Sequence, residues 1–296
     1  MVRRWWLFVA ALGAGCATTS GVSPTFTYAP PPGTKYVRTV KLVTEVRLVG
    51  SPFRQREEQE FVWNVAFTRE GDRTVVSQQL QRVVLRINDA EVLDGERVPG
   101  QALSVDLVVS REPRVVEVRG AERAAEVLSG LLAPGIDQAS APILGAERVK
   151  EIAVARFEMV VRDVVGHPTA AGSTWPAGDQ ASTVDKKTMT VDRIEPCGAA
   201  RCARVTAQYE VDPREAARLA LRRAAAFLAQ SGVNPAEAEV LDASMSFRDE
   251  LLVEPGTLVD HAATFSQTAR VTFAGAQGNP IPVEFQSTLE QSSTFP

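Results

Sequence analysis

Beyond residue 35 the chain is dominated by a period of two. Tyr36, Val40, Leu42, Val46 and Leu48 share one parity and alternate with Lys41, Glu45 and Arg47, while Phe61, Trp63, Val65 and Phe67 alternate with Val62, Asn64, Ala66 and Thr68. Successive side chains of a strand point to opposite faces, so these segments predict strands with one buried side. The pattern returns at Leu103, Val105, Leu107 and Val109, at Val205, Ala207, Tyr209 and Val211, and at Met245, Phe247, Leu251 and Val253. The last stretch carries two long faces, Val259 to Phe273 and Ile281 to Leu289. One apolar and one polar face per strand is the pattern of antiparallel sheet covered on one side.

Three segments switch to helical spacing. Residues 121–132 place Ala124, Val127, Leu128 and Leu131 on one stripe and stop before Pro134-Gly135. Residues 146–165 align Val149, Ile152, Phe157, Val160 and Val164 as a helix, although their valine content would also suit a strand. Residues 213–231 open with an N-cap at Asp212, a proline at the first helical position and Glu215 as acidic partner, and Gly232 follows. The fold class expected is α+β, dominated by antiparallel sheet with about three packing helices. A faint echo, Gly33-Thr34-Lys35-Tyr36 against Gly172-Ser173-Thr174-Trp175, allows either two related β-rich halves, 33–166 and 167–296, or one curved, half-barrel-like sheet.

The N-terminus changes the picture from fold to location. Arg3 and Arg4 precede an apolar and small run from Trp5 to Gly15, which as a helix covers about 16 Å, half of a bilayer core of roughly 30 Å. It is therefore read as a signal peptide, residues 1–15, and not as a span. The run closes on Leu12-Gly13-Ala14-Gly15-Cys16, which resembles a bacterial lipobox, with Gly13 where leucine is usual and Leu12 one position further out. The resemblance implies a diacylglyceryl thioether on Cys16, cleavage before it and N-acylation of the new terminus. Two or more acyl chains, at about 0.8 kcal/mol per buried CH₂, make a stable anchor without a spanning helix. Ala17, where aspartate would mark inner-membrane retention, favours the outer membrane, with the body facing the periplasm or the cell surface. Residues 16–32, rich in Thr, Ser, Gly and Pro, read as the lipidated cysteine and a flexible Pro-rich tether.

Charge excludes one class of partner. Without Arg3 and Arg4 the chain carries 30 basic against 36 acidic residues, a net −6, which suits no nucleic acid. Taken together, the lipobox, the Pro/Gly tether, strands opened by Gly-x-x-aromatic, a helix before the second Gly-x-x-Trp and closing β-strands resemble an uncharacterised class of bacterial lipoproteins. That resemblance implies an architecture and no activity.

Candidate chemistry is sparse. Cys197 and Cys202 flank the neck of a hairpin read between two strands and in an oxidising periplasm predict a disulfide, a redox role needing the tighter C-x-x-C spacing and a metal site needing further ligands. The two histidines, His167 in a turn and His261 in a strand, lie far apart in the chain and match no metal motif, so no metal site and no cofactor beyond the lipid on Cys16 are expected. No Gly-x-Ser-x-Gly elbow occurs. The acidic run Glu57-Glu58-Gln59-Glu60 reads as a solvated edge before a strand. Tyr36, Phe61, Trp63, Phe67 and Trp175 read as inward core aromatics or, under a curved sheet, as an apolar ligand groove. The functional expectation is a non-enzymatic, membrane-anchored envelope lipoprotein with a binding or assembly role of unknown specificity, toward an envelope protein or a hydrophobic ligand. The alternatives are a carrier for a hydrophobic ligand held between sheet and helices, and a hydrolase gathering His167 or His261 with an acid and a hydroxyl.

Overall fold

A computed structural model describes residues 24–93, 103–130, 145–177, 186–213, 215–218, 239–274 and 279–296. Residues 1–23, on which the signal-peptide and lipidated-Cys16 readings fall, lie outside the described residues. The elements are β1 (Lys35–Leu48), β2 (Arg54–Glu70), β3 (Arg73–Ile87), β4 (Ala90–Leu93), β5 (Ser104–Val109), β6 (Val115–Arg119), α1 (Ala121–Gly130), α2 (Ala146–Val161), β7 (Thr174–Ala177), β8 (Lys186–Cys197), β9 (Ala200–Glu210), β10 (Val240–Val253), β11 (Asp260–Ala274) and β12 (Pro280–Thr294).

The strands form one sheet in the order β6-β5-β3-β2-β1-β12-β11-β10-β9-β8-β7, with β4 pairing β3, and every pairing is antiparallel. The two terminal strands meet at its middle, where β1 and β12 pair from Val37–Thr294 to Leu48–Val283. The ends of this path are β6 and β7, and the chain between them runs through α1 and α2. One sheet thus spans both stretches that the faint echo divided.

Helix α2 shows why the sheet must curve. Val149, Ala153, Val154 and Phe157 pack on the core built from β1, β2, β3 and β5, around Tyr36, Val65, Phe67, Val76 and Leu107. Phe157, Val160 and Val161, with Val164 just beyond, pack on the core of β7, β8, β9 and β10, around Trp175, Met189, Val191, Val205 and Leu251. These positions recur every three or four residues, so the valines form a helical stripe, and both arms of the sheet close on it. A third cluster, Val46, Val271, Phe273 and Val283, fills the opposite end of the central strands.

The convex side is charged. Glu58 on β2 pairs with Lys41 on β1, with Arg56 and with Arg86 on β3; Glu284 on β12 pairs with Arg47 and Arg270; Glu195 pairs with Arg193 and Arg204. Such cross-strand pairs stabilise weakly, each about 0–1 kcal/mol, yet they make a surface unlike the apolar outward band of a membrane-spanning barrel. Among the described residues no helix is long and apolar enough to cross a membrane.

Several expectations need correction. Residues 24–28, read as part of the flexible tether over 16–32, are built into the fold. Phe26 is 1% exposed, its N–H donates to His167 O, it accepts from Gly166 N, and Thr27 N–H donates to Pro255 O. An aromatic residue with a partly enclosed docking site overrides the polar composition around it. The run 57–60 is no solvated edge, because β2 begins at Arg54 and Glu58 and Glu60 are its outward, ion-paired positions. Strand β3 had no counterpart in the pattern reading: the register shifts where Val62 opposes Arg82 and Trp63 opposes Leu80, and the bulge inverts the parity of its apolar residues. Helix α2 ends at Val161, short of residue 165, and α1 is described to Gly130. Of the helix expected over 213–231, residues 213 and 215–218 are helical, with Asp212 Oδ1 accepting from Glu215 N–H at 3.1 Å as the N-cap; the remainder lies outside the described residues.

Candidate functional site

Among the described residues three polar clusters interrupt the apolar concave face, each joining residues on the strands to residues in or beside the loops. On β1 the inward row runs Tyr36, Arg38, Val40, so Arg38 sits among apolar neighbours, opposite Trp63 on β2 and Ser293 on β12. Its Nη2 donates to Asp260 Oδ1 at 2.7 Å and to the Tyr36 hydroxyl at 2.6 Å, and that hydroxyl donates to Asp260 Oδ1 at 2.9 Å. Gln291 on β12 donates to the other Asp260 oxygen. Burial opposes the Arg38 charge, but Asp260 and Tyr36 more than offset it and hold the guanidinium's pKa above its ordinary value.

Next to this cluster lies a cavity of about 40 Å³, walled by Phe67, Val76 and Leu107 from the sheet, Phe157 and Val161 from α2, and Leu258 from the loop before β11. Three buried polar atoms in this region have no hydrogen-bond partner among the described residues: Tyr28 Oη, Arg38 Nε and Ser293 Oγ. Tyr28 and Arg38 line the cavity itself. Leaving such a group dry costs about 1–3 kcal/mol, whereas the space admits about three waters at roughly 10–15 Å³ each. Leu258 adopts a left-handed backbone, φ 54°, a conformation costly for a non-glycine residue. It is held by Leu258 N–H donating to Glu254 O and by the Thr257 side chain accepting from Val259 N–H.

The second cluster lies beyond the C-terminal end of α2. Lys187 Nζ is 2.8 Å from Asp163 Oδ2 and 3.6 Å from Asp249 Oδ2, and 5.3 Å from the Tyr209 ring centre. The Tyr209 hydroxyl donates to Asp249, and Trp175 Nε1–H donates to Asp163 O at 2.7 Å. Two carboxylates share one lysine here. Burial raises the Asp249 carboxyl above the ordinary aspartate range despite Tyr209 and Lys187, and burial and Asp249 together raise the Tyr209 hydroxyl.

The third cluster surrounds the disulfide between Cys197 and Cys202, which closes the β8–β9 hairpin at the neck read from the sequence. Gly198, φ 66°, supplies the left-handed first position of that turn. His261 reaches the same place from β11: its ring nitrogen and both sulfurs lie within 4.8 Å of one another. His261 Nε2 is 2.8 Å from Glu254 Oε1, Thr257 Oγ1 donates to Glu254 Oε2 at 2.7 Å, and Phe295 stacks on the imidazole at 4.4 Å.

The aromatic groove set divides. Tyr36 and Phe67 line the cavity, with ring centres 6.1 Å apart. Phe61 and Trp63 stack on each other at 6.4 Å and pack on the same core without lining the cavity. Trp175 belongs to the other arm, between Phe26 and the ring of His167, whose pKa burial lowers. Sequence reading passed over Arg38, Asp163, Lys187, Asp249 and Asp260. A signal existed for three of them: Arg38, Lys187 and Asp249 occupy parity positions that their own strands otherwise fill with buried apolar residues.

No protein-family model matches the chain, and no curated protein matches it. Among solved structures, it is similar to DynF from the dynemicin biosynthesis pathway of Micromonospora chersina at 7% identity, covering 94% of this chain and 92% of that one, with a TM-score of 0.22. An outer membrane channel from Pseudomonas putida F1 matches at 9% identity over 93% of this chain and 100% of that one, TM-score 0.24. A beta-barrel-like protein of a domain of unknown function from Brucella abortus matches at 8% identity over 90% and 99%, TM-score 0.21. Likeness at this level carries no argument about the chain.

Proposed function

We propose that the chain is a lipoprotein of the bacterial envelope, anchored through Cys16, whose curved sheet and helix α2 form a rigid, non-enzymatic binding body. The observation that carries the choice over a lipid carrier is the cavity beneath α2. Among the described residues it measures about 40 Å³, far below the roughly 300–1,000 Å³ of a pocket that engulfs a drug-sized ligand, and Phe157 and Val161 of α2 form part of its wall. The cavity accepts water or one small polar group, held by Tyr28 and Arg38.

The geometry also argues against the hydrolase reading at His261. A hydroxyl nucleophile needs the imidazole next to it and the acid behind. Here Thr257 donates to Glu254, which lies between the hydroxyl and His261, so the histidine has no path to the threonine proton. The test is envelope fractionation followed by native mass spectrometry with lipid extraction. The expected result is wild type in the membrane fraction without stoichiometric non-covalent lipid, and Cys16→Ser released from membranes. A bound acyl lipid at near one to one would overturn the binding-body reading in favour of the carrier, and a membrane-bound Cys16→Ser would overturn the anchor.

A further inference from the structure

We propose that Cys197, Cys202 and His261 form a reduction-gated site for a thiophilic divalent cation such as Zn²⁺. Two thiols alone could not hold one, and the sequence places His261 more than fifty residues beyond Cys202. The fold removes that obstacle by ending β10 at Val253 and turning the chain through Glu254–Val259, which brings the start of β11 over the hairpin neck.

The geometry fits three corners of a tetrahedral set, with the fourth left to water. Metal–sulfur bonds of about 2.3 Å and metal–nitrogen bonds of about 2.0–2.1 Å put ligand atoms about 3.5–3.8 Å apart. The three candidate atoms already lie within 4.8 Å of one another. Opening the disulfide requires the sulfurs to separate by side-chain rotation, while the Cα atoms stay 5.8 Å apart on a paired hairpin. Glu254, hydrogen-bonded to His261, is the carboxylate partner that ligating histidines commonly take to fix ring orientation. Cys202 is fully buried and Cys197 nearly so, and the His261 and Glu254 side chains, 12% and 23% exposed, form the way in.

The chemistry balances with a dithiol as reductant. Its two electrons break the S–S bond, the dithiol becomes a disulfide, the cation takes both thiolates, and two protons are released. Metal binding thus draws the reduction forward, because the two buried thiolate charges are neutralised by the cation. In an oxidising compartment the pair stays a disulfide, and the site exists only after reduction. The proposal stands whether or not Cys16 is lipidated.

The test is an anaerobic cobalt(II) titration of the full chain, oxidised and after reduction with a phosphine, which supplies the same two electrons. The expected result is thiolate charge-transfer and tetrahedral visible absorption saturating at one cobalt per reduced chain, bleached by zinc, and no such absorption from the oxidised chain. His261→Ala leaves the disulfide in place in the oxidised protein and should lose the tetrahedral spectrum after reduction, and Glu254→Gln should weaken zinc about 10–100-fold. A reduced wild type without the spectrum, or a His261→Ala spectrum identical to wild type, would overturn the site.

Discussion

At the scale of the residue, the concave face is organised by charges that the apolar alternation would not place there. Arg38 and Asp260 are both nearly buried and satisfy each other, so removing one leaves the other as an uncompensated buried charge. Asp260→Ala should therefore cost about 3–5 kcal/mol in denaturant unfolding, and the double change Arg38→Met with Asp260→Leu should recover most of it. An Asp260→Ala loss below about 1 kcal/mol would show that the pair is not held as described. Asp249 makes a second prediction through its raised pKa. A carboxyl raised on folding contributes stability that is complete below its unfolded value, about 3.9, and disappears as pH climbs through the higher folded value. Asp249→Asn cannot ionise, so its stability relative to wild type should improve from pH 4 to pH 7. A difference that is flat or moves the other way contradicts the burial argument. These residues were legible only by parity: Lys187 shares the inward row of Met189 and Val191, and Asp249 that of Phe247 and Leu251. Asp163 and Asp260, in or beside loops, have no such row to violate.

At the scale of the element, the sharpest constraint lies between β6 and α1. Gly120 has φ 82°, and a Cβ there would sit 2.3 Å from the Ser104 carbonyl oxygen at the start of β5. Gly120→Ala should destabilise by about 2 kcal/mol or more, combining left-handed strain with a backbone clash. Gly33, with φ 86° but open space around it, is the control and should lose less. Equal losses would remove the steric part of the account. The disulfide is a smaller, local restraint. Closing a loop of about six residues contributes about 2 kcal/mol on the chain-entropy model, so Cys197→Ser with Cys202→Ser should lower the melting point while strands β8 and β9 stay paired. Global unfolding of that variant would show that the hairpin depends on the bond. Strands with unbroken alternation, β1, β9, β10 and β11, were legible in the sequence. Strand β3 was not, because the bulge at Gln81 splits its apolar residues between two parities.

At the scale of the molecule, the chain's two terminal strands close the middle of the sheet and the helices occupy the gap between its edges. The stripes of α1 and α2 and the antiparallel pattern were readable beforehand, since they follow from local periodicity. The pairing of β1 with β12 was not, because it joins segments at opposite ends of the chain and no local pattern encodes it. The same long-range closure brings Asp260 and Gln291 to Arg38, and His261 to the cysteines, which is why the disulfide was foreseen and the residues around it were not. Phe26 shows the opposite failure: a polar, proline-rich context concealed one residue that the closed body buries completely.

The central claim joins an anchored terminus to a closed interior, and one measurement addresses both. The intact mass of the protein extracted from bacterial membranes would be read first under native and then under denaturing conditions. The account predicts a polypeptide beginning at Cys16 that carries covalent diacylglyceryl and N-acyl groups, with the same mass in both conditions. An unmodified Cys16 would contradict the anchor, and an acyl lipid present in the native mass and lost on denaturation would contradict the closed interior.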